Sequence, residues 1–513
     1  MREWNAARIA QAAGARLIAE PSPGGASSTL TGEPGPRRTV IDSRAVARGD
    51  LFVGLRGEHV DGGEYGAQAL AAGAWGVLVA NVHAERALAA ALAGPGGAVL
   101  VHPDPLQGLQ ALARAWRREL QARGAVVVAI TGSTGKTSTK DILAAVLGAQ
   151  RRTVASSQNL NTEIGLPLSL LAAPGDTEAL VLEMAMRGAG QIAELTQIAE
   201  PDVGVIVNVG PVHLELLGTL EAIAAAKAEL IAGIGDEATV VLPVDEPLLE
   251  PHRRAELRTI TFGAGGDVAL EESSSPGVLK PGEAARGEHG RREHGRGEIG
   301  SGEVVIRHEG QRMTLWPSFS QRHNLENLLA AVAAARALGV TPGGRLEVRF
   351  SALRGERIAL PEGIVLVNDC YNANPMSMRA AIEDLTETAS ARTLAVLGDM
   401  LELGREAGPG LHREVGEYAA RRGVDVLVTV GPQAAAMAKA FGGEAHCVPD
   451  AEAAAELLGM LLREGDTVLV KGSRGVGLER VAQILQADGE ASLGGAGFER
   501  LGARDSDQTA GRR

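Results

Sequence analysis

Residues Ala125–Leu147 read AVVVAITGSTGKTSTKDILAAVL. An apolar, β-branched run, Ala125–Ile130, enters Gly132-Ser133-Thr134-Gly135-Lys136-Thr137 and continues as an amphipathic helix. Strand, glycine turn and helix in this order are the sequence form of a phosphate-binding loop. The glycines let the backbone wrap an anion, and the helix N-terminus points N–H groups at it. Lys136 reaches the terminal phosphates, and the Thr137 hydroxyl is placed to ligate Mg²⁺. The common P-loop has four residues between its glycines; here there are two, and Ile130 stands where the longer form needs glycine. The segment is therefore the shorter GxxGKT form, and it predicts ATP and Mg²⁺ as cofactors.

Outward from this segment the alternation continues. Short apolar runs recur at Ala179–Met184, Val203–Val209, Thr393–Leu397, Val426–Val430 and Thr467–Val470, mostly followed by a glycine-bearing turn and an Ala/Leu-rich helix. Such strands suit a parallel sheet covered on both faces. The expected fold class is α/β in three domains. Pro and Gly interrupt the pattern near His102–Pro105 and Thr341–Gly344, which predicts an N-terminal domain over 1–105. A central P-loop, parallel-sheet ATPase-like domain then spans 106–342, and a C-terminal Rossmann-like domain 343–487. Residues 271–302, EESSSPGVLKPGEAARGEHGRREHGRGEIGSG, carry three near-copies of a pentamer and almost no apolar side chains. They predict a disordered insertion, with His289 and His294 more simply solvated than metal-bound. The polar, Gly-rich tail 488–513 is expected to be disordered as well.

Composition narrows the function. The net charge of −13 argues against the sequence-blind phosphate footprint of a nucleic-acid binder. Aromatics make up 3% of residues, so the cores must be built from Ala, Val, Leu and Ile. The two cysteines, Cys370 and Cys447, form no CxxC pair; this fits a reducing cytoplasm and excludes a Cys-based structural zinc site. Both read as small core or surface residues, not nucleophiles. The N-terminal MREWNAARIAQAAGARLIAE has no apolar signal core. The longest apolar stretch falls well short of the ~20 residues of a membrane span. A soluble cytoplasmic protein is expected.

Other residues could handle metal and charge. Glu183 ends one strand-like run and His213 follows another by four residues, at the ends where doubly wound folds place ligands. Glu183 suits Mg²⁺ directly or through water, though a solvated strand end is the alternative. In TLEAIAAAKAELIAGI, Leu220, Ile223, Leu230, Ile231 and Ile234 trace one helical stripe, and Lys227 falls on it. A buried lysine must snorkel, pair or lose its charge. A neutral amine reacts with CO₂ to give a carbamate, an acidic metal ligand. Farther on, Gly472–Gly475 follows a strand and opens a helix. Lys471, Ser473 and Arg474 there form a second possible anion cradle, or else a glycine turn with solvated basic residues.

At this point the residues resemble a known family. GSTGKTSTK, SSQNLNTEIGLP (Ser156–Pro167), EMAMRGAGQI (Glu183–Ile192), NVGPVHLELLG (Asn208–Gly218) and AKAEL (Ala226–Leu230) are similar to the central domain of the Mur ligases. NDCYNANPMSMRAAI (Asn368–Ile382), VLGDMLELG (Val396–Gly404) and VKGSRGVGLERV (Val470–Val481) resemble the family's C-terminal domain, and DSRAVARGDLFVGLRGEHVDGGEY (Asp42–Tyr65) its UDP-sugar-binding domain. YNANP with LGDMLELG points to the branch whose amine substrate is D-alanyl-D-alanine.

The resemblance implies ATP-dependent ligation of D-alanyl-D-alanine to the carboxylate of UDP-N-acetylmuramoyl-tripeptide, through an acyl phosphate, in cytoplasmic peptidoglycan precursor synthesis by a monomer. It implies that Gly132–Thr137 bind ATP. Thr137, Glu183, His213 and Lys227 would hold or orient two Mg²⁺ ions, with Lys227 matching the lysine that this family carbamylates. Asn324 and Asn327 would meet the adenine side, and Arg357 and Asp369 would close on the nucleotide. Ser43 and Arg44 would meet the UDP end. Asn159, Asn161, Thr162 and Glu163 would meet the muramoyl-peptide, and Asn372 and Asn374 the dipeptide. The chain departs from the family at Ala185 and Gln321, where glycine is usual, and at Asn368, where aspartate is frequent. Asp245 is the one match to aspartates expected after the strand near Val241. Two rivals stay open: another Mur-type amino-acid ligase, and a P-loop NTPase that regulates without ligating.

Overall fold

The structure, a computed structural model, describes residues 1–20, 34–94, 96–157, 159–273 and 302–487. The chain divides into two units: Met1–Val209 with Thr219–Arg349, and Gly210–Gly218 with the chain from Phe350 onward.

The apolar runs of the first unit become buried strands of three sheets. One has the order Arg16–Ala19, Ala98–Val101, Gly76–Val79, Leu51–Val53, Thr39–Val40, parallel except at Arg16–Ala19. The second is wholly parallel, in the order Arg258–Phe262, Thr239–Pro243, Val203–Ile206, Val126–Thr131, Ala179–Glu183, Thr153–Ala155. The P-loop strand Val126–Thr131 lies inside this sheet. After it the chain winds first to one side, through Thr153–Ala155 and Ala179–Glu183, and then to the other, through Val203–Ile206. Its carboxyl end is thus the switch point at which parallel sheets bind ligands.

The third sheet is small: Ala269–Ser273, Val304–His308, Gln311–Pro317 and Gly344–Leu346. It corrects the start of the charged insertion. Residues 271–273 were expected to be unstructured, but they pair antiparallel with Val304–His308, and Arg312 meets Glu271 at 3.0 Å. A polar edge strand needs only one apolar partner and a cross-strand counter-charge. Residues 274–301, with His289 and His294, and the tail 488–513 lie outside the described residues.

The P-loop helix Lys136–Gly148 packs against Arg322–Ala337, where Ala330, Ala331, Ala333, Ala334 and Ala335 are all buried. Small buried side chains along this helix let its neighbours approach closely, and Asn327 on it reaches the loop beside Gly135.

The second unit holds one six-stranded sheet, in the order Glu356–Ala359, Val365–Asn368, Thr467–Lys471, Thr393–Gly398, Val426–Val430, Glu444–Val448. Only Glu356–Ala359 runs antiparallel. Aliphatic clusters cover both faces, one around Leu366, Val396 and Val468, the other around Val367, Leu397 and Leu469. Alternate residues of the same strands supply the two clusters.

Candidate active site

Gly135 caps the P-loop helix in the left-handed region, φ 79°. A side chain there would be strained, and its Cβ would sit 2.4 Å from Asn327 Oδ1. Only glycine admits this approach of Asn327. The Lys136 ammonium reaches back to Gly132 O at 2.8 Å, so it lies over the loop. One residue on, the Thr137 hydroxyl donates to Glu183 Oε2 at 2.7 Å, and the other carboxylate oxygen accepts from Asn161 Nδ2 at 2.9 Å. Thr137, Glu183 and Asn161 are all buried. The Glu183 N–H donates to Ser156 Oγ at 3.2 Å. Glu183 is therefore the hub joining the P-loop strand's neighbour, the helix start and the 156–163 segment.

Lys227 lies on the helix Leu220–Gly233. It is 2% exposed, and among the described residues it makes no hydrogen bond or ion pair. Burial pushes its amine well below the ordinary lysine range, and the Lys136 charge adds to the shift. Ile223, Leu230, Ile231 and Ile234 of the expected stripe are buried, whereas Leu220, at the helix start, is 39% exposed. The remaining alternatives for this lysine, snorkelling or pairing, are not what the structure holds.

One residue was missed by sequence reasoning. Asn208 lies just past the strand Val203–Ile206 and braces the loop: its Oδ1 accepts the N–H groups of Ser133 and Thr134 at 3.1 and 3.0 Å. It sits in a quoted motif, but a single polar residue after a strand carries no periodic signal. Asn324 and Asn327 are buried and joined to each other at 3.3 Å. Gln321 caps their helix at φ −62°, so glycine's freedom is not needed there. In the peptide segment Thr162 is exposed, the Glu163 carbonyl accepts from Gln110 Nε2, and the Asn159 carbonyl accepts the Asn161 N–H. In the N-terminal sheet region, the half-buried Ser43 and the exposed Arg44 lie on one 3₁₀ turn. Arg44 grips Asp42 there and holds its carboxyl at about 2.

The second unit places the remaining residues. His213, at φ 54°, meets Glu402 Oε2 at 2.5 Å. Arg357 pairs with the buried Asp384 at 2.9 Å and donates to Thr388. Asp369 receives the Lys471 ammonium at 2.6 Å, and Lys471 also donates to Asn372 O at 3.1 Å. Asn374 caps the helix Pro375–Thr388. The Ser473 hydroxyl accepts the Leu401 N–H at 2.9 Å, while Arg474 stays exposed beside Glu479. The turn after Ser473 is 3₁₀, Arg474–Val476, before the helix at 479–487. Cys370 is buried with its thiol pushed upward by burial, and Cys447 is an exposed free thiol.

Family models match along the chain: the Mur ligase family catalytic domain at residues 38–117, the Mur ligase middle domain at 130–335, and the Mur ligase glutamate ligase domain at 353–474. A Bacillus subtilis UDP-N-acetylmuramoyl-tripeptide–D-alanyl-D-alanine ligase is 34% identical over 461 residues, 86% of this chain and 92% of that protein. The chain belongs to the Mur ligase family. Solved Mur ligases share its fold. MurF from Acinetobacter baumannii aligns with a TM-score of 0.76 at 26% identity, covering 94% of this chain and 98% of that one. MurF from Thermotoga maritima in complex with ADP aligns with a TM-score of 0.72 at 30% identity, covering 89% and 98%.

For a Mur ligase the donor set at Thr137 and Glu183 is telling. Both offer hard oxygen atoms of the kind Mg²⁺ takes, and no group of three or more His, Cys, Asp or Glu suited to a metal occurs among the described residues. Mg²⁺ is ordinarily held by one or two carboxylates together with substrate phosphates, so the Mur ligase residues fit it. No helix among those described is long and apolar enough to cross a membrane.

Proposed function

We propose that this Mur ligase joins D-alanyl-D-alanine to UDP-N-acetylmuramoyl-tripeptide with hydrolysis of ATP to ADP and phosphate. The observation that carries the chemistry is the cluster Lys136–Thr137–Glu183–Asn161 beside the buried, unpaired amine of Lys227. The choice of substrates rests on the B. subtilis relative, whose name states both, and on the YNANP and LGDMLELG motifs.

A carboxylate does not react with an amine, because oxide is too poor a leaving group. The tripeptide carboxylate oxygen therefore attacks the γ-phosphorus of ATP, and ADP leaves. The neutral amine of the dipeptide then attacks the acyl carbon, the C–O bond breaks, phosphate departs and the nitrogen loses its proton. No protein nucleophile is needed. The protein must instead position the partners and neutralise spreading negative charge. Gly132–Thr137 cradle the phosphates, with Lys136 on the terminal ones, and Asn324 and Asn327 lie on the adenine side. Thr137 and Glu183 would hold Mg²⁺, which would supply neutralisation of the negative charge on the phosphate oxygens. Lys227, neutral and buried, is suited to carbamylation and would then present an anionic oxygen to the metal. Asn159–Glu163 serve the peptide, Ser43 and Arg44 the uridine diphosphate end, Asn372 and Asn374 the dipeptide, and Lys471, Ser473 and Arg474 substrate or phosphate. Residues 1–105, 106–342 and 343–487 are assigned to the UDP-sugar, ATP and dipeptide domains of a monomeric cytoplasmic enzyme.

The test is phosphate release with Mg-ATP and UDP-N-acetylmuramoyl-tripeptide, with the dipeptide added or withheld. Release that needs the dipeptide, with a product heavier by the dipeptide less water, supports the reading. Release indifferent to both partners points to an NTPase, and activity with a single amino acid points to another Mur ligase.

A further inference from the structure

In the six-stranded parallel sheet, Val203–Ile206 runs beside the P-loop strand, and the ladder continues past both. The Val207 N–H donates to Thr131 O at 2.9 Å, and the Ser133 N–H to Asn208 O at 3.1 Å. Asn208 then adds its side chain. Oδ1 accepts from the Ser133 and Thr134 N–H groups, and Nδ2 donates to Thr134 O at 3.2 Å. The carboxamide thus meets the Thr134 backbone with a donor and an acceptor at once. Turned over, its NH₂ would face two N–H donors, so its orientation is fixed by the loop. The next residue is anchored independently: the Val209 N–H donates to Glu246 Oε2 at 3.2 Å.

We propose that Asn208 is a positioning residue of the nucleotide site. Its carboxamide shapes Ser133 and Thr134 so that the first-turn amides of the helix, which a helix cannot satisfy internally, face the phosphates. Its neutrality keeps negative charge out of the cradle. The proposal rests on the reading of Gly132–Thr137 as the ATP site. Aspartate at this position has nearly the same shape and accepts both N–H groups, but it would set its charge against Thr134 O and against the incoming phosphates. Alanine would release the loop without adding charge. A purely structural asparagine would be replaced better by aspartate than by alanine; a residue that also guards the charge of the cradle would not.

The measurement is ADP affinity by calorimetry, in Mg²⁺, on the full chain and on Asn208→Asp, Asn208→Ala and Lys136→Ala. Melting temperature and the KM for D-alanyl-D-alanine are read alongside. Expected is a loss of about tenfold for Asn208→Ala and a larger one, up to about a hundredfold, for Asn208→Asp. The melting temperature should fall modestly in both Asn208 variants, since each loses the bond to Thr134 O, while the dipeptide KM should be unmoved. Unchanged ADP affinity in both Asn208 variants, with loss in Lys136→Ala, would overturn the proposal alone. So would a fall in stability that raises every KM together, or an aspartate variant that binds better than the alanine one. Equal binding by the parent chain and Lys136→Ala would overturn the P-loop reading as well. If Asn208→Ala does not fold, Asn208→Asp decides the matter.

Discussion

Glu183 accepts one hydrogen bond on each carboxylate oxygen, from Thr137 and from Asn161, in a buried setting. Glutamine there can keep its oxygen toward Asn161 and turn its NH₂ to the Thr137 hydroxyl, which can accept as well as donate. Glu183→Gln should therefore change stability by no more than about 1 kcal/mol, read by urea unfolding, while the loss of the carboxylate charge should raise the Mg²⁺ concentration needed for activity. Lys227 gives a prediction with a definite pH sign. Its folded-state pKa lies well below the 10.5 of a free lysine, so between those limits the unfolded chain binds more protons and stability rises with pH. Lys227→Met, of similar volume, removes that penalty. In bicarbonate-free buffer it should melt above the parent chain at neutral pH, and the gap should close as pH approaches 10.5; a gap that widened would contradict a buried neutral amine. The two residues were legible in the sequence for different reasons. Lys227 broke an apolar stripe, whereas Glu183 stood at the end of a strand. The partners Asn161 and Asn208 were not singled out for these contacts, because they meet the loop only when separate strands of the sheet come together.

At the scale of elements, the helix Pro375–Thr388 begins with a reciprocal cap: Asn374 Oδ1 accepts the Ser377 N–H at 2.9 Å, and Ser377 Oγ accepts the Asn374 N–H at 3.0 Å. Asn374→Ala should lower stability by about 1 kcal/mol and Asn374→Ser by much less, measured by thermal unfolding. The cap was not foreseen, since the NANP motif was read for its ligand and not for the Asn-Pro-x-Ser helix start it also encodes. The hairpin of the small sheet gives another test. Ser273 pairs with Val304, so the ends of the intervening segment lie side by side. Replacing residues 274–301 with a four-residue turn shortens the loop closed by that pair by a little over two doublings, worth roughly 1.4 kcal/mol of added stability at about 0.6 kcal/mol each. Unfolding should show that gain, with ligase activity retained.

At the scale of the whole molecule, periodicity gave the α/β class and six of the twelve strands of the two six-stranded sheets to within a few residues, three in each. It could not show that Gly344–Leu346 pairs in parallel with Gln311–Pro317, which carries the first unit on to Arg349. Nor could it show that Gly210–Gly218 belongs with the later half of the chain. Both depend on partners distant in sequence, which local patterns do not encode. The shortage of aromatic side chains, read at first as a statement about core composition, has an optical consequence. All four tryptophans, Trp4, Trp75, Trp116 and Trp316, fall in the first unit, and three of them are buried. Trp4 and Trp116 lie edge to face with their centroids 5.3 Å apart. The second unit has only Tyr371 and Tyr418 as phenolic chromophores. Emission excited at the red edge of indole absorption therefore follows the ATP-binding half alone. Melting of the other half is silent in that channel and is carried by two of the three tyrosines, Tyr65 being the one in the first unit, so the tyrosine change left after subtracting the transition seen by tryptophan reports the second half of the same unlabelled sample.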